Sequence, residues 1–327
     1  MMGLSTRGIH VTFLGYVFPR ASTPRCRTPD TACSGCDELL MSDEAPETEL
    51  CTLRVNGPVA SLTLTRTDVH NALNEQLIGE MTTLLDWTSN RSVGETAQLE
   101  DQNGAPFLRV ILLRSEGRHF CAGADINMMR DGGGKSPEEN RADAERLDSL
   151  FHGLWSHPCF TIACVQGVAL GGGAGLVACS DHVIGEPRTK IALSEAKLGI
   201  SAAVIGPYVY RRLGSAQFRR LAMLASRIDA QESLRVGFID EIADSAESMD
   251  KFAEAVTSDV LTSGPMAVTS AKRMVAQLDR WDGDDDSLRL WSLDLTSRMR
   301  GSPEGQEGLS AFLEGRKPAW KPEDGEV

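Results

Sequence analysis

The sequence predicts an α/β fold in which strands and helices alternate over the first half of the chain and helices fill the second half. Two segments carry this prediction, residues 107–114 and 160–165, because both are short apolar runs rich in β-branched residues. Each run leads into a loop of small residues and then into the start of a helix. Beyond residue 206 the apolar positions recur at helical spacing. A strand-rich core followed by a helical C-terminal region is therefore expected.

The remaining elements follow from the same patterns in chain order. Residues 51–56 and 59–65 alternate apolar positions around a turn, which predicts a β-hairpin. Asn74 is expected to cap a helix that runs to Trp87. Further helices are predicted at residues 137–157, 206–213, 215–225, 230–236, 247–261 and 265–279, and from residue 287 onward.

Composition restricts the class of protein. The 327 residues are 41% hydrophobic and 24% charged, as in ordinary globular proteins, and no apolar run reaches the length of a membrane span. The net charge of −13 disfavours nucleic acid and anionic membranes as partners. Eight scattered cysteines, several of them inside predicted strands or helices, indicate reduced thiols. A cytoplasmic location is therefore expected.

The first 49 residues differ from the rest of the chain. No acidic residue precedes Asp30, while arginines accompany serine and threonine. This composition is typical of a transit segment, which would direct the protein to the mitochondrial matrix, although Met41 would also make a plausible start. Cys33 and Cys36 have C-x-x-C spacing, but no second pair stands at zinc-site spacing, so no metal site is predicted. The expected regions are an extension over 1–49, a core over 50–255 and a helical region over 256–327.

The glycine-rich stretch after residue 165 is the first candidate functional segment. Glycines 171–173 and Gly175 follow a buried strand and open a helix expected at residues 176–180. Unpaired amides at a helix N-terminus attract an anion, and glycine lets a ligand approach the backbone closely. A tight turn and a dinucleotide-binding loop are the alternatives, although the strict G-x-G-x-x-G spacing does not fit. Downstream, Glu195 stands between apolar runs, where a carboxyl with a raised pKa could transfer protons.

A second strand and small-residue loop precede this one. Residues 107–114 lead into His119 and the small residues 121–124, and Asp125 is placed to cap the next helix. Each of the two loops could present a backbone N–H group. Two such donors that converge form an oxyanion hole, which stabilises negative charge on a carbonyl oxygen.

Four motifs in order resemble the enoyl-CoA hydratase/isomerase (crotonase) family. Residues 120–125 (FCAGAD) and 167–173 (GVALGGG) look like its signature, residues 66–73 (RTDVHNAL) resemble its R-P-x-x-x-N-A-L motif, and residues 304–318 resemble its closing segment. The resemblance covers about residues 50 to 320 and is nearest in style to bacterial methylglutaconyl-CoA hydratases. It implies a crotonase-type ββα superhelix with a C-terminal helical region, assembled as trimers or dimers of trimers.

The resemblance also implies the site residues. The amides of Ala124 and Gly172 would hold the thioester oxygen of an acyl-CoA, with Glu195 beside them. CoA would be part of the substrate, and no other cofactor is implied. The residues expected to contact substrate or CoA are Val69, His70, Leu73, Ala122, Asp125, Ile126 and Gly171.

One departure from the family leaves three functions open. The best-known hydratases carry two glutamates about twenty positions apart, whereas here Gly175 stands at the first position and Glu195 at the second. A one-glutamate hydratase, acting for example on 3-methylglutaconyl-CoA, is the first reading. A Δ3,Δ2-enoyl-CoA isomerase is the second, since it needs a single acid. A non-catalytic acyl-CoA-binding protein is the third, although an unpaired buried carboxylate argues against it.

Overall fold

The computed structural model describes residues 44–93 and 98–322. The expected transit segment and the Cys33–Cys36 pair lie outside these ranges. The described residues all belong to one compact unit. One helix, Ala246–Thr262, spans the expected boundary between residues 255 and 256.

A six-stranded sheet forms the centre of this unit. Strands β1 (Cys51–Asn56) and β2 (Val59–Leu64) pair antiparallel as the predicted hairpin, with Cys51 opposite Leu64. Strands β3 (Val110–Ser115), β4 (Phe160–Val165), β6 (His182–Gly185) and β9 (Glu241–Ile242) then add in parallel, in the order β1-β2-β3-β4-β6-β9. Parallel strands need crossover connections, and helices supply them here.

A smaller sheet stands beside the first. It contains β5 (Val168–Leu170), β7 (Lys190–Ala192) and β8 (Ile228–Asp229), with β7 in the middle. A single bridge between Cys121 and Ala169 joins the loop after β3 to β5. The loop that contains residues 120–125 is thereby held against the strand that precedes the glycine-rich segment.

Helices cover the sheets and fill the C-terminal part of the chain. Their bounds are Glu75–Asn90 (α1), Ile126–Gly132 (α2), Pro137–Trp155 (α3), Gly172–Cys179 (α4), Gly206–Leu224 (α5), Ala230–Val236 (α6), Ala246–Thr262 (α7), Pro265–Asp279 (α8), Asp285–Gly301 (α9) and Pro303–Glu314 (α10). Helix α1 buries Leu77, Met81 and Leu84 against the core that also contains Phe120 and Phe151. Among the described helices, none is long and apolar enough to cross a bilayer.

Most predicted elements are confirmed, and the differences have physical causes. Asn74 caps α1 as expected, but the helix continues to Asn90, three residues past Trp87. The two helices expected at residues 206–213 and 215–225 are confirmed, because α5 is interrupted by a non-helical residue, Gly214, where φ is +73° and ψ is +169°. Helix α4 begins at Gly172 rather than at Leu176. A Cβ at Gly173 would lie 2.4 Å from the carbonyl oxygen of Cys121, so the glycines serve close helix packing.

Candidate active site

The first strand–loop–helix unit runs from β3 to α2 and ends in a capped helix. Asp125 accepts a hydrogen bond from the amide of Asn127 at 2.9 Å, which is the predicted N-cap. Its other oxygen accepts from Arg66 at 2.8 Å, and this ion pair lowers the pKa of the Asp125 carboxyl. Both oxygens of the Asp125 carboxylate are therefore engaged within the protein, and the residue contributes to the site through its position in the loop.

The amide of Ala124 in this unit is left without a partner. Leu73 bridges the loop by donating its N–H to Gly123 and accepting from Asp125, at 2.8 and 2.9 Å. Ala124 stands between these two partners, and in a parallel bridge the N–H of such a residue points away from the bridging strand, here away from Leu73. Within the described residues the Ala124 amide makes no hydrogen bond.

The second strand–loop–helix unit runs from β4 through β5 to α4. Gly171 precedes the helix with φ of +49° and ψ of −115°, a conformation that glycine adopts readily. No side chain caps α4. Gly172 is its first residue, and its amide is one of those that a helix leaves unpaired at its N-terminus. The described residues provide it with no hydrogen-bond acceptor.

The two free amides lie side by side. A Cβ built on Gly172 would be 3.6 Å from the amide nitrogen of Ala124. A Cβ built on Gly123 would be 3.5 Å from the amide nitrogen of Gly172. These two contacts show that the amides are close neighbours, and two neighbouring main-chain donors that bind one oxygen atom form an oxyanion hole.

The carboxyl group of Glu195 lies against the same loop. Glu195 begins a 3₁₀ turn, Glu195–Leu198, and its Oε1 would be 3.2 Å from a Cβ at Gly171. Its Oε2 is buried and has no hydrogen-bond partner. Burial raises the pKa of the Glu195 carboxyl, against a smaller lowering by its own backbone N–H. A carboxyl in this state is suited to taking up and returning a proton.

One cavity joins these groups. It has a volume of about 430 Å³ and is bordered by both loops, by one face of α3 and by the segment from Leu198 to Ile205. Of the residues predicted for the site, six line it: Ala122, Ala124, Ile126, Gly171, Gly172 and Glu195. Sequence reasoning did not identify Asn140 and Asp143, which also line it, because nothing in a helix pattern shows which polar side chains face a cavity.

The position of the missing first glutamate is filled by other side chains. A Cβ at Gly175 would lie 2.4 Å from Cγ2 of Ile205 and 2.9 Å from Cε1 of Phe151. No side chain fits there without moving one of these two groups. Glycine at 175 is therefore part of a packed interior, and in the described residues Glu195 is the one carboxyl group beside the amides.

The other predicted residues lie around the cavity. Leu73 is fully buried; its backbone forms the bridge described above, and its Cδ1 would be 3.0 Å from a Cβ at Gly172. Val69 ends a short 3₁₀ turn and is partly exposed. His70 has φ of +56° and its ring meets that of His119 edge to face, with centroids 4.8 Å apart. Neither Val69 nor His70 borders the cavity.

A second cleft of about 630 Å³ adjoins the cavity, and Ala122 lines both. His70 and four cationic side chains border it: Arg118, Arg188, Lys190 and Arg227. Arg188 contacts Glu186 at 3.4 Å, and the other three form no ion pair with a described residue. Burial lowers the pKa of His119, and the charges of His70, Arg118 and Arg227 lower it further. Sequence patterns did not predict this cluster because its members come from segments that are far apart along the chain.

Comparison with known proteins places these features in a family. Residues 54–323 match the family model described as enoyl-CoA hydratase/isomerase. A carnitinyl-CoA dehydratase of Proteus mirabilis is 32% identical over 66% of this chain and 82% of its own length. A short-chain-enoyl-CoA hydratase of Clostridium acetobutylicum is 27% identical over 81% of this chain and 95% of its own length.

Solved structures agree with the fold. The crystal structure of an enoyl-CoA hydratase from Shewanella pealeana has a TM-score of 0.74 and 35% identity, and the match covers 89% of this chain and 100% of that one. A structure titled as an enoyl-CoA hydratase/isomerase (crotonase) from Legionella pneumophila has a TM-score of 0.72 and 33% identity over 84% of this chain. The predicted crotonase-type fold is therefore confirmed.

Proposed function

This chain belongs to the enoyl-CoA hydratase/isomerase family, and from that membership we propose that it adds water to an α,β-unsaturated acyl-CoA with Glu195 as its single acid–base group. The observation that carries the proposal is the position of the Glu195 carboxyl. It lines the same cavity as the unpaired amides of Ala124 and Gly172, and one of its oxygens has no protein partner. An orphaned carboxylate oxygen in a cavity is costly unless a substrate or water engages it.

The proposed reaction needs only these groups. The ionised carboxylate of Glu195 removes a proton from water while the water oxygen bonds to Cβ of the acyl chain. The electron pair of the double bond moves through Cα onto the thioester oxygen, where the two amides stabilise the charge. Glu195 then returns its proton to Cα, and the thioester carbonyl is restored. No cofactor besides the CoA of the substrate enters this proposal.

We propose that the second cleft receives the phosphates of CoA. It joins the cavity at Ala122, and its four cations stand out in a chain whose net charge is −13. Locally focused positive charge attracts a polyanion even to an acidic protein. Among the basic residues near the C-terminus, Arg316 is already paired with Glu307 and Glu314. The cleft supplies cations nearer to the thioester loops.

Bond migration is the alternative reaction. Moving a double bond from Δ3 to Δ2 requires one group that takes a proton from C2 and returns it to C4, and no water enters. The filled space at Gly175 favours this candidate, because a second carboxyl that could help to hold water cannot stand there. The oxyanion pair would serve both reactions equally.

An assay panel separates the candidates. Wild-type protein and the Glu195→Gln variant are given crotonyl-CoA, 3-methylglutaconyl-CoA and a 3-enoyl-CoA. We expect water addition to a 2-enoyl-CoA by the wild type and a loss of about 10²- to 10⁴-fold in the variant, as for other general acid–base groups. Glu247→Gln, on an exposed turn of α7, is the matched control and should be unaffected.

The other outcomes each select a different function. Migration of the 3-enoyl double bond without hydration would identify an isomerase. Tight binding of all three thioesters without turnover would identify an acyl-CoA-binding protein. Water addition to 3-methylglutaconyl-CoA in preference to crotonyl-CoA would support the branch that the motifs resemble, although its distal carboxylate has no cationic partner among the described cavity residues.

Assembly as a trimer or a dimer of trimers remains part of the proposal. Helix α10 exposes 85% of Phe312 and 83% of Leu313, and α9 exposes Leu290 and Leu293. Exposed apolar side chains that cluster in this way are typical of surfaces that another subunit covers. Sedimentation equilibrium tests this, since a monomer would leave these groups in water.

A further inference from the structure

One face of α3 forms a wall of the acyl cavity from end to end. Asn140, Asp143, Ala144 and Leu147 line the cavity, and they recur at helical spacing. Phe151 continues this face, and its ring would be 3.7 Å from a Cβ at Gly172. Asp143 is eight residues from Phe151, which corresponds to about 12 Å along a helix. Asp143 therefore lies about two helical turns along α3 from Phe151, whose ring is the group of this face beside Gly172.

The charged groups that line the cavity are all acidic. Glu195 lies beside the amides and Asp143 lies on α3, while no lysine, arginine or histidine borders the cavity within the described residues. The remaining walls are largely apolar, formed by side chains such as Met128, Met129, Leu147 and Val204. A distal anionic group on an acyl chain would find no opposite charge here.

Asp143 remains ionised because two cations hold it from outside the cavity. Lys135 contacts its Oδ2 at 2.5 Å and Arg146 contacts its Oδ1. These pairs lower the pKa of the Asp143 carboxyl, with the Lys135 hydrogen bond the largest cause. Neither Lys135 nor Arg146 lines the cavity. Of these three residues, Asp143 is therefore the one that borders the cavity, while its two cationic partners lie outside the lining.

We infer that Asp143 is a specificity determinant that restricts the acyl group of the substrate to chains without a distal negative charge. A second carboxylate brought against Asp143 would be desolvated next to a like charge. It could reach Lys135 only by displacing Asp143 from it. An uncharged chain instead packs along the apolar walls and ends near Asn140 and Asp143. This inference rests on the proposed function, because it assumes that the cavity holds the acyl part of a CoA thioester.

Binding of saturated acyl-CoAs tests the inference without catalysis. Hexanoyl-CoA and glutaryl-CoA are titrated into wild type, Asp143→Asn, Lys135→Met and the control Glu145→Gln, which lies on the same helix in an exposed pair with Arg141. We expect wild type to bind hexanoyl-CoA at least about 10-fold more tightly than glutaryl-CoA, which corresponds to about 1.4 kcal/mol. Asp143→Asn should remove most of that difference by strengthening glutaryl-CoA binding. Glu145→Gln should bind as wild type does.

Two results would overturn the inference. Equal affinity of wild type for both ligands would show that Asp143 does not discriminate. Loss of glutaryl-CoA binding in Lys135→Met, with hexanoyl-CoA binding intact, would make Lys135 a receptor for a distal carboxylate. If Asp143→Asn does not fold, equal affinity of wild type for the two ligands would still overturn the inference, and Asp143→Ser replaces the variant in the test.

Turnover separates this inference from the proposed function. Hydration of 2-hexenoyl-CoA with little hydration of glutaconyl-CoA supports both. The binding preference without hydration of either substrate refutes the proposed reaction and leaves the specificity of the cavity standing. Equal hydration of both substrates refutes the specificity and leaves the reaction standing. Failure to bind either saturated ligand refutes both.

Discussion

In the first strand–loop–helix unit a side chain caps the helix, whereas in the second unit no side chain does. Asp125 occupies the N-terminus of α2 and engages the amide of Asn127, so the free donor lies one residue earlier, at Ala124. In α4 the helix itself begins with the free donor, Gly172. An uncapped helix terminus adds the positive end of the helix dipole to its free amide, and a capped one does not. The two donors thus differ both in their position relative to the following helix and in electrostatic strength.

Removing the uncapped donor should have the largest effect. Proline is tolerated at the first position of a helix and lacks an N–H group, so Gly172→Pro deletes the donor with little change to α4. We expect kcat to fall about 10²- to 10³-fold, as for other oxyanion donors. Gly172→Ala is the control, because it adds a Cβ near Leu73 but retains the amide. Equal losses in both variants, measured by steady-state kinetics, would mean that space rather than the donor matters.

A substitution at Gly175, where the best-known hydratases carry their first glutamate, should have the next largest effect, here on stability. A methyl group at position 175 collides with Ile205 and Phe151, so Gly175→Ala should destabilise the fold by about 1–3 kcal/mol. Gly79→Ala is the matched control, since nothing lies within 4 Å of its Cβ in α1 and alanine favours a helix by about 0.5–1 kcal/mol. Chemical denaturation of both variants gives the comparison. Equal stability of the two variants would show that Ile205 and Phe151 leave room for a side chain at position 175.

The cap of the first unit should have a smaller effect. Asp125→Ala should lower stability by about 1 kcal/mol, and Asp125→Asn should lose less because it retains the cap. The folded-state pKa of Asp125 is below its ordinary value, so its contribution is complete above the unfolded value and is lost as pH falls through the folded value. The free energies of unfolding of wild type and Asp125→Asn should therefore differ at pH 7 and become more similar as pH falls. A constant difference would contradict the role of Arg66.

Substitution of Glu195, beside the second unit, should have the smallest effect on stability. Unlike the substitutions above, it should leave the protein as stable as before or slightly more stable. The folded-state pKa of Glu195 is raised, so ionisation is less favourable in the folded than in the unfolded protein. Glu195→Gln should thus be as stable as wild type or slightly more stable at pH 7, and the difference should vanish as pH falls below the unfolded value. In wild type, kcat/KM should rise with pH through the pKa of Glu195. A marked loss of stability in the variant at pH 7 would indicate a structural role instead.

The local features of this chain were readable from its sequence. The hairpin, the strand Phe160–Val165, the helix Pro265–Asp279 and the caps at Asn74 and Asp125 all follow from patterns within a few residues. The motif resemblance also identified the two amides and Glu195, since family motifs are short and contiguous. These features depend on backbone propensity and on neighbours along the chain, which a sequence displays directly.

Other features were decided by tertiary structure alone. Whether the amides of Ala124 and Gly172 remain unpaired depends on a bridge from Leu73 and on the start of α4. The space at Gly175 is closed by side chains from two other elements. The cationic cleft and the carboxylate of Asp143 arise where distant segments meet. Sequence fixes which groups a chain possesses, but only packing determines which of them are left without partners, and an unpartnered group is what a substrate can bind.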